Sequence, residues 1–99
     1  MYATCGEDGL VKFWDLAGLR EICSIKAHVG GCNNVVFNQL KEQQFITSGL
    51  EDQTVKFFDF TKQMDPIMSI KIGRNIEQLC FFGDNLMCST EDGYLVVIN

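Results

Sequence analysis

Basic charge is scarce in this sequence. Eight Lys and Arg stand against thirteen Asp and Glu, a formal net charge of −5. Nucleic-acid binding draws its affinity from neutralising phosphates with Lys and Arg, so an acidic chain without a basic cluster argues against that role. The opening MYATCGEDG lacks the basic stretch and apolar core of a secretory leader. No apolar run approaches the roughly 18 residues of a membrane-spanning helix. The five cysteines, Cys5, Cys23, Cys32, Cys80 and Cys88, are odd in number and contain no CxxC pair. They do not read as a disulfide framework, and a reducing cytoplasm or nucleus is expected. There is one proline and one histidine, so any imidazole chemistry must pass through His28. Nothing is low in complexity either: 46% of the 99 residues are hydrophobic and 21% charged, which is globular composition for one domain at most.

What is present is a repeat. Residues 48–60, SGLEDQTVKFFDF, match residues 4–16, TCGEDGLVKFWDL, when laid on them without a gap, placing Glu7 on Glu51, Asp8 on Asp52, Val11 on Val55 and Asp15 on Asp59. Residues 88–99, CSTEDGYLVVIN, bring Glu91 and Asp92 into the same register. Asp8 and Asp52 lie 44 residues apart and Asp52 and Asp92 lie 40 apart. A period of about 40–45 residues ending in Trp-Asp is that of a four-stranded propeller blade.

The stretches between these landmarks read as short strands. Met1–Cys5 and Leu10–Leu16 are apolar runs flanking Asp8-Gly9, a pair suited to the positive φ of a tight hairpin turn. The same pattern gives strands at Glu21–Lys26, Asn34–Asn38, Gln44–Ser48, Thr54–Phe60, Ile67–Ile72, Ile76–Phe82, Leu86–Ser89 and Tyr94–Ile98. Gln53 stands where the first repeat has Gly9, at a cost of about 1 kcal/mol if its φ must be positive. In VKFFDF, Val55 and Phe57 should face one way, with Phe58 and Phe60 packing between repeats.

Taken together, AHVGGCNNVVFN (27–38), SGLEDQTVKFFDF and CGEDGLVKFWDL resemble the WD-repeat, β-transducin-type propeller family over essentially the whole chain. The resemblance implies an all-β fold of antiparallel four-stranded blades forming an incomplete WD-repeat β-propeller. Blade one is incomplete over 1–27, blade two spans 28–72, and blade three is incomplete over 73–99. The resemblance also implies a structural hydrogen-bond network of His28, Ser48 and Asp52, with Phe58 where the family places Trp. Blade three is degenerate, with Ile72 at the His position and Ile98 at the Trp position. The Arg that in some members marks ubiquitin-ligase receptors, two residues after Trp-Asp, is absent after both Asp15 and Asp59.

His, Ser and Asp are also the residue types of a hydrolase triad. No GxSxG elbow accompanies them, and the expectation is a non-catalytic role, with a hydrolase using Ser48 or Cys32 and His28 as the alternative. Cys32 follows His28 by four residues, but a metal site needs three or four convergent ligands, and strand cysteines behave as small buried hydrophobes. Neither a metal nor a cofactor is expected. The resemblance assigns the second acid of each Glu-Asp pair to internal bonding and leaves Glu7, Glu51 and Glu91 outward, a candidate partner-binding face. The function expected is a protein–protein interaction scaffold, the alternative being a reader of basic peptides through that acidic turn face. Two and a half repeats cannot close a ring, so further blades of a longer chain, or a partner protein, should cover the exposed flanks.

Overall fold

The computed structural model describes residues 2–38, 41, 43–59 and 65–98. Among the described residues ten strands follow one another: β1 (Tyr2–Cys5), β2 (Leu10–Asp15), β3 (Arg20–Lys26), β4 (Cys32–Phe37), β5 (Gln44–Gly49), β6 (Thr54–Asp59), β7 (Met68–Lys71), β8 (Ile76–Phe82), β9 (Asn85–Thr90) and β10 (Leu95–Ile98). Every pairing is between sequence neighbours and antiparallel, giving sheets ordered β1-β2-β3, β4-β5-β6-β7 and β10-β9-β8. The fold is all-β, as the repeat pattern predicts, and no helix occurs among the described residues. The packing of Phe60 between repeats, expected from sequence, lies outside the described residues.

The sheets stack because their strands are apolar on both sides. On β5, Phe45 belongs to one buried cluster and Ile46 to another. On β6, Phe58 joins the first cluster and Val55 the second, with Phe57 packed against the second. Period-two alternation thus sends each middle strand's side chains into two separate cores. The first core lies between sheets one and two and holds Val11, Phe13, Ile25, Ala27, Cys32, Phe45 and Phe58. Its centre is aromatic: Phe45 and Phe58 stack with centroids 4.9 Å apart, and Phe13 meets Phe45 edge-on, also at 4.9 Å. The second core joins Ile46 and Val55 to Ile76, Leu79, Leu86 and Cys88 of sheet three.

At both ends of the stack the alternation leaves apolar side chains without a neighbouring sheet. Leu95 and Val97 are 61% and 51% exposed, whereas Val96 and Ile98 pack into the second core. At the other end Tyr2, Leu16 and Leu19 are exposed around Trp14, whose Nε1–H donates to Thr4 Oγ1 at 3.0 Å. Exposed apolar area of this kind marks an association surface.

Because all connections are antiparallel, the β1–β2, β3–β4, β5–β6, β7–β8 and β9–β10 connections share one edge of the stack. There, Cys32 N donates to Gly6 O (2.8 Å) between sheets one and two, while Ala27 N to Gly9 O (2.9 Å), Ile72 N to Gln53 O (2.9 Å) and Glu91 N to Asn75 O (3.0 Å) extend the ladders within sheets one, two and three. Gly9 has φ 78°, and a Cβ on it would run into the His28 carbonyl. Gln53 does adopt the left-handed conformation, at φ 59°, and its side chain donates from Nε2 to Asn75 Oδ1 at 3.2 Å. Replacing Gln53 with Gly should therefore raise unfolding stability by at most about 1 kcal/mol, less whatever the exposed bond to Asn75 contributes. Urea denaturation checks this; a clear loss of stability would show that the side-chain bond outweighs the backbone strain.

Candidate functional site

His28 is a buried polar residue, 1% exposed, on the loop between β3 and β4. Its Nδ1 lies 2.8 Å from Asp52 Oδ2 and its Nε2 lies 2.7 Å from Thr47 Oγ1. An ionised carboxylate only accepts, so Nδ1 carries the proton and Nε2 accepts from the Thr47 hydroxyl. Asp52 is held in turn by Thr54 N, which donates to Oδ1 at 3.1 Å. Gly49 makes room for the group: a Cβ there would collide with the Asp52 carboxylate and stand 2.7 Å from His28 Nδ1.

The hydroxyl in this network differs from the one expected. Ser48 does not meet His28; its Oγ accepts from Asn34 Nδ2 at 3.1 Å. Thr47 and Ser48 are consecutive on β5 and therefore point to opposite faces. Phe45 and Thr47 face sheet one, whose trailing loop supplies His28, while Ile46 and Ser48 face sheet three. The ungapped repeat conceals an offset between the two turns. Thr4 pairs with Lys12 and Cys5 with Val11, whereas Thr47 pairs with Lys56 and Ser48 with Val55. Thr4 thus corresponds to Thr47, and Leu50 is one extra residue in the second turn. Aligning Thr4-Cys5-Gly6 on Thr47-Ser48-Gly49 would have found it.

Burial disfavours the imidazolium and lowers the His28 pKa from its usual value, against the opposing pull of Asp52. Partial burial works to raise the Asp52 carboxyl, but hydrogen bonds from His28 and Thr54 outweigh it and leave that group below its ordinary range. The network is a neutral imidazole bonded to a carboxylate. Phe58, stacked on Phe45, brings no donor to it.

Blade three builds its turn differently. Asp92 accepts from Thr90 Oγ1 at 2.6 Å and pairs with the Arg74 guanidinium. These bonds, the hydroxyl's foremost, hold its carboxyl below the ordinary range. Arg74 also lies over the Tyr94 ring, 3.8 Å from its centroid. Ala27 and Ile72 make the equivalent backbone bonds, to Gly9 and Gln53. Gly73, not Ile72, therefore occupies the place of His28. Arg74 escaped sequence reasoning because nothing in GRN distinguishes an ion-pairing loop from a plain turn.

Glu7, Glu51 and Glu91 are all exposed on the edge that carries these turns. Glu51 lies against Gly30, and Glu91 Oε2 is 3.5 Å from Asn75 Nδ2. Arg74 and Asp92, with Gln53, Gly73, Asn75 and Glu91, line a polar depression on the same edge. No group of three or more His, Cys, Asp or Glu side chains able to hold a metal occurs among the described residues.

A stack of two-sided antiparallel sheets, joined along one edge by turn-to-loop bonds and by a buried imidazole, defines a run of propeller blades. No protein-family profile matches the sequence. The chain is similar to Maintenance of telomere capping protein 5 of Saccharomyces cerevisiae, 42% identical over 50 residues that cover 50% of this chain and 4% of that protein. WD repeat-containing protein 90 of Mus musculus is 31% identical over 64 residues, covering 61% of this chain and 3% of that one. Protein SOF1 of Saccharomyces cerevisiae is 34% identical over 65 residues, 57% of this chain and 13% of that protein. A chain in the crystal structure of the mitotic checkpoint complex superposes with a TM-score of 0.80 over 96% of this chain and 30% of its own length, at 17% identity. The chain thus spans between 3% and 13% of the curated relatives it matches. The fold is that of a partial β-propeller, and a WD repeat-containing protein is among the curated proteins to which the chain is similar.

The geometry separates Thr47 from Ser48 by experiment. Thr47→Val leaves an imidazole nitrogen buried without a partner and should cost about 1–3 kcal/mol. Ser48→Ala should cost less, because Asn34 Nδ2 also donates to Glu77 O. The contribution of His28, whose pKa is depressed by folding, is full above the unfolded value near 6.5 and is lost as pH falls through the folded one. Stability measured by urea titration should accordingly decline on acidification below about pH 6.5, and this limb should be missing in His28→Phe.

Proposed function

We propose that the chain is a non-catalytic blade segment that presents a rigid surface to other proteins. The observation carrying this reading is the state of His28: both ring nitrogens are bonded and the side chain is fully buried. An imidazole in that position cannot reach a substrate, so the triad-like residues act as a clasp between blades. The exposed apolar ends of the stack suit association with further blades or with a partner protein. A reducing compartment, cytoplasm or nucleus, fits the five free thiols. The hydrolase alternative draws no support from Ser48, which bonds Asn34 rather than His28. In the test, His28→Ala should lower the melting temperature, and the unmodified protein should not hydrolyse a panel of activated esters. Ester turnover that disappears in His28→Ala at unchanged melting temperature would overturn the scaffold reading.

A finer reading concerns the turn edge. The outer carboxylates Glu7, Glu51 and Glu91 are exposed while their neighbours Asp52 and Asp92 are engaged in bonds. Acidic groups arrayed along one edge attract cationic partners and speed their encounter. The edge is thereby proposed to take a Lys/Arg-rich peptide, with neither nucleic acid nor membrane as a ligand. Reversing Glu7, Glu51 and Glu91 together to Lys should slow association with such a peptide by about tenfold or more at low ionic strength, with little difference left at high salt. An on-rate unaffected by the triple reversal would sink this reading.

A further inference from the structure

Five thiols are distributed over the stack, and an inter-blade backbone bond sets two of them in neighbouring positions. Cys5 ends β1 of blade one and Cys32 begins β4 of blade two. They are brought together by the backbone: Cys32 N donates to Gly6 O at 2.8 Å, one residue beyond Cys5. Both side chains lie in the core between the first two sheets, Cys32 2% exposed and Cys5 half-buried against it. Of the remaining thiols, Cys23 packs against the first core from β3, opposite Phe13, Cys88 is buried in the second core, and Cys80 is exposed on β8.

We infer that Cys5 and Cys32 form an inter-blade dithiol site, which a small-molecule disulfide such as oxidised glutathione converts into a Cys5–Cys32 disulfide. The bond from Cys32 N to Gly6 O holds the Cys32 backbone one residue from Cys5, and a disulfide needs its two Cα atoms within about 7 Å of each other. The partners are unequal. The neighbouring Cys32 side chain draws the Cys5 pKa below its usual value despite partial burial. Cys32 is raised, by the neighbouring Cys5 and by its own burial. Its Sγ–H donates to Asn34 O at 3.6 Å. Thiolate character and access set reactivity toward disulfides. Cys5 is therefore the attacking thiol and Cys32 the resolving one.

The exchange balances in two steps. Cys5 gives its proton to solvent and its thiolate attacks one sulfur of oxidised glutathione. The glutathione S–S bond breaks, a Cys5–glutathione disulfide forms, and one glutathione thiolate leaves and takes up a proton. Cys32 then gives its proton to solvent and attacks Cys5 Sγ, releasing the second glutathione in the same way. The protein loses two electrons and two protons, and two glutathione thiols are formed.

The product staples blade one to blade two beside the His28 loop. It closes the chain between positions 5 and 32, so the unfolded state loses freedom and the folded stack gains thermal resistance.

The test is incubation of the full chain in glutathione buffers of rising oxidised-to-reduced ratio, alkylation under native conditions, and tryptic mass spectrometry without reduction. The expected product joins the peptide 1–12 to the peptide 27–41, lighter by two hydrogens than the pair, and the melting temperature rises by on the order of 10 °C. In Cys32→Ser, glutathione should remain trapped on Cys5; in Cys5→Ser, Cys32 should stay unmodified. Separate alkylation of Cys5 and Cys32 at every ratio would overturn the assignment. So would cross-linking of Cys5 chiefly to Cys23 or Cys80, an outcome the unmodified chain reports even if either variant folds poorly.

Discussion

A buried imidazole with both nitrogens occupied is the constraint on which the junction of the first two blades depends. His28 comes from the loop leaving sheet one, and its partners Asp52 and Thr47 belong to the turn and strand of sheet two. Buried polar groups are costly unless they are satisfied, so the loop and the turn cannot move apart without exposing unpaired groups in a core of phenylalanines. The surroundings are shaped by this requirement. Gly49 leaves the volume that His28 and Asp52 fill, and Gly9 lets the His28 backbone approach the neighbouring turn. The Lys56 ammonium reaches back to Ala27 O at 3.0 Å, adding a further tie to the same loop.

The second junction is held by different means. Asn33, at the register shift between Cys32 and Asn34 in β4, and Asn34 both reach β8: Asn33 Nδ2 donates to Ile76 O at 2.8 Å, and Asn34 Nδ2 to Glu77 O at 3.2 Å. The turn of blade three relies on the Arg74–Asp92 pair, which lies in solvent. Exposed pairs contribute little and are screened by salt. The stack is therefore chemically uneven: one joint is clasped by a dry polar network and the other by apolar packing, amide–carbonyl bonds and a wet ion pair.

Much of the architecture was legible because it rests on short-range chemistry. Asp8-Gly9 and Asp92-Gly93 announce hairpins, strand alternation is visible in Val11 and Phe13, and the recurrence of Glu-Asp fixes the blade period. The site was less legible, for two reasons. A repeat laid down without a gap cannot register the extra Leu50, and in a strand a displacement of one residue exchanges faces, which separates Ser48, the hydroxyl the family resemblance implies, from Thr47, which bonds His28. Arg74 was invisible because its role arises from a fold contact with Asp92 and Tyr94, residues 18 and 20 positions away, rather than from any local pattern.

The extra Leu50 carries a consequence of its own. Eight positions separate Thr4 from its cross-strand partner Lys12 and nine separate Thr47 from Lys56, yet the ladder beyond the turn is the same in both sheets. Turn length is thus decoupled from strand register, since the added residue is taken up entirely at the exposed edge, where Leu50 lies over Gly31. An edge that accepts insertion without disturbing the layers beneath it can diversify in outline while the interior stays fixed. In a stack of this kind, the contour a partner meets and the packing that keeps the blades upright can change independently.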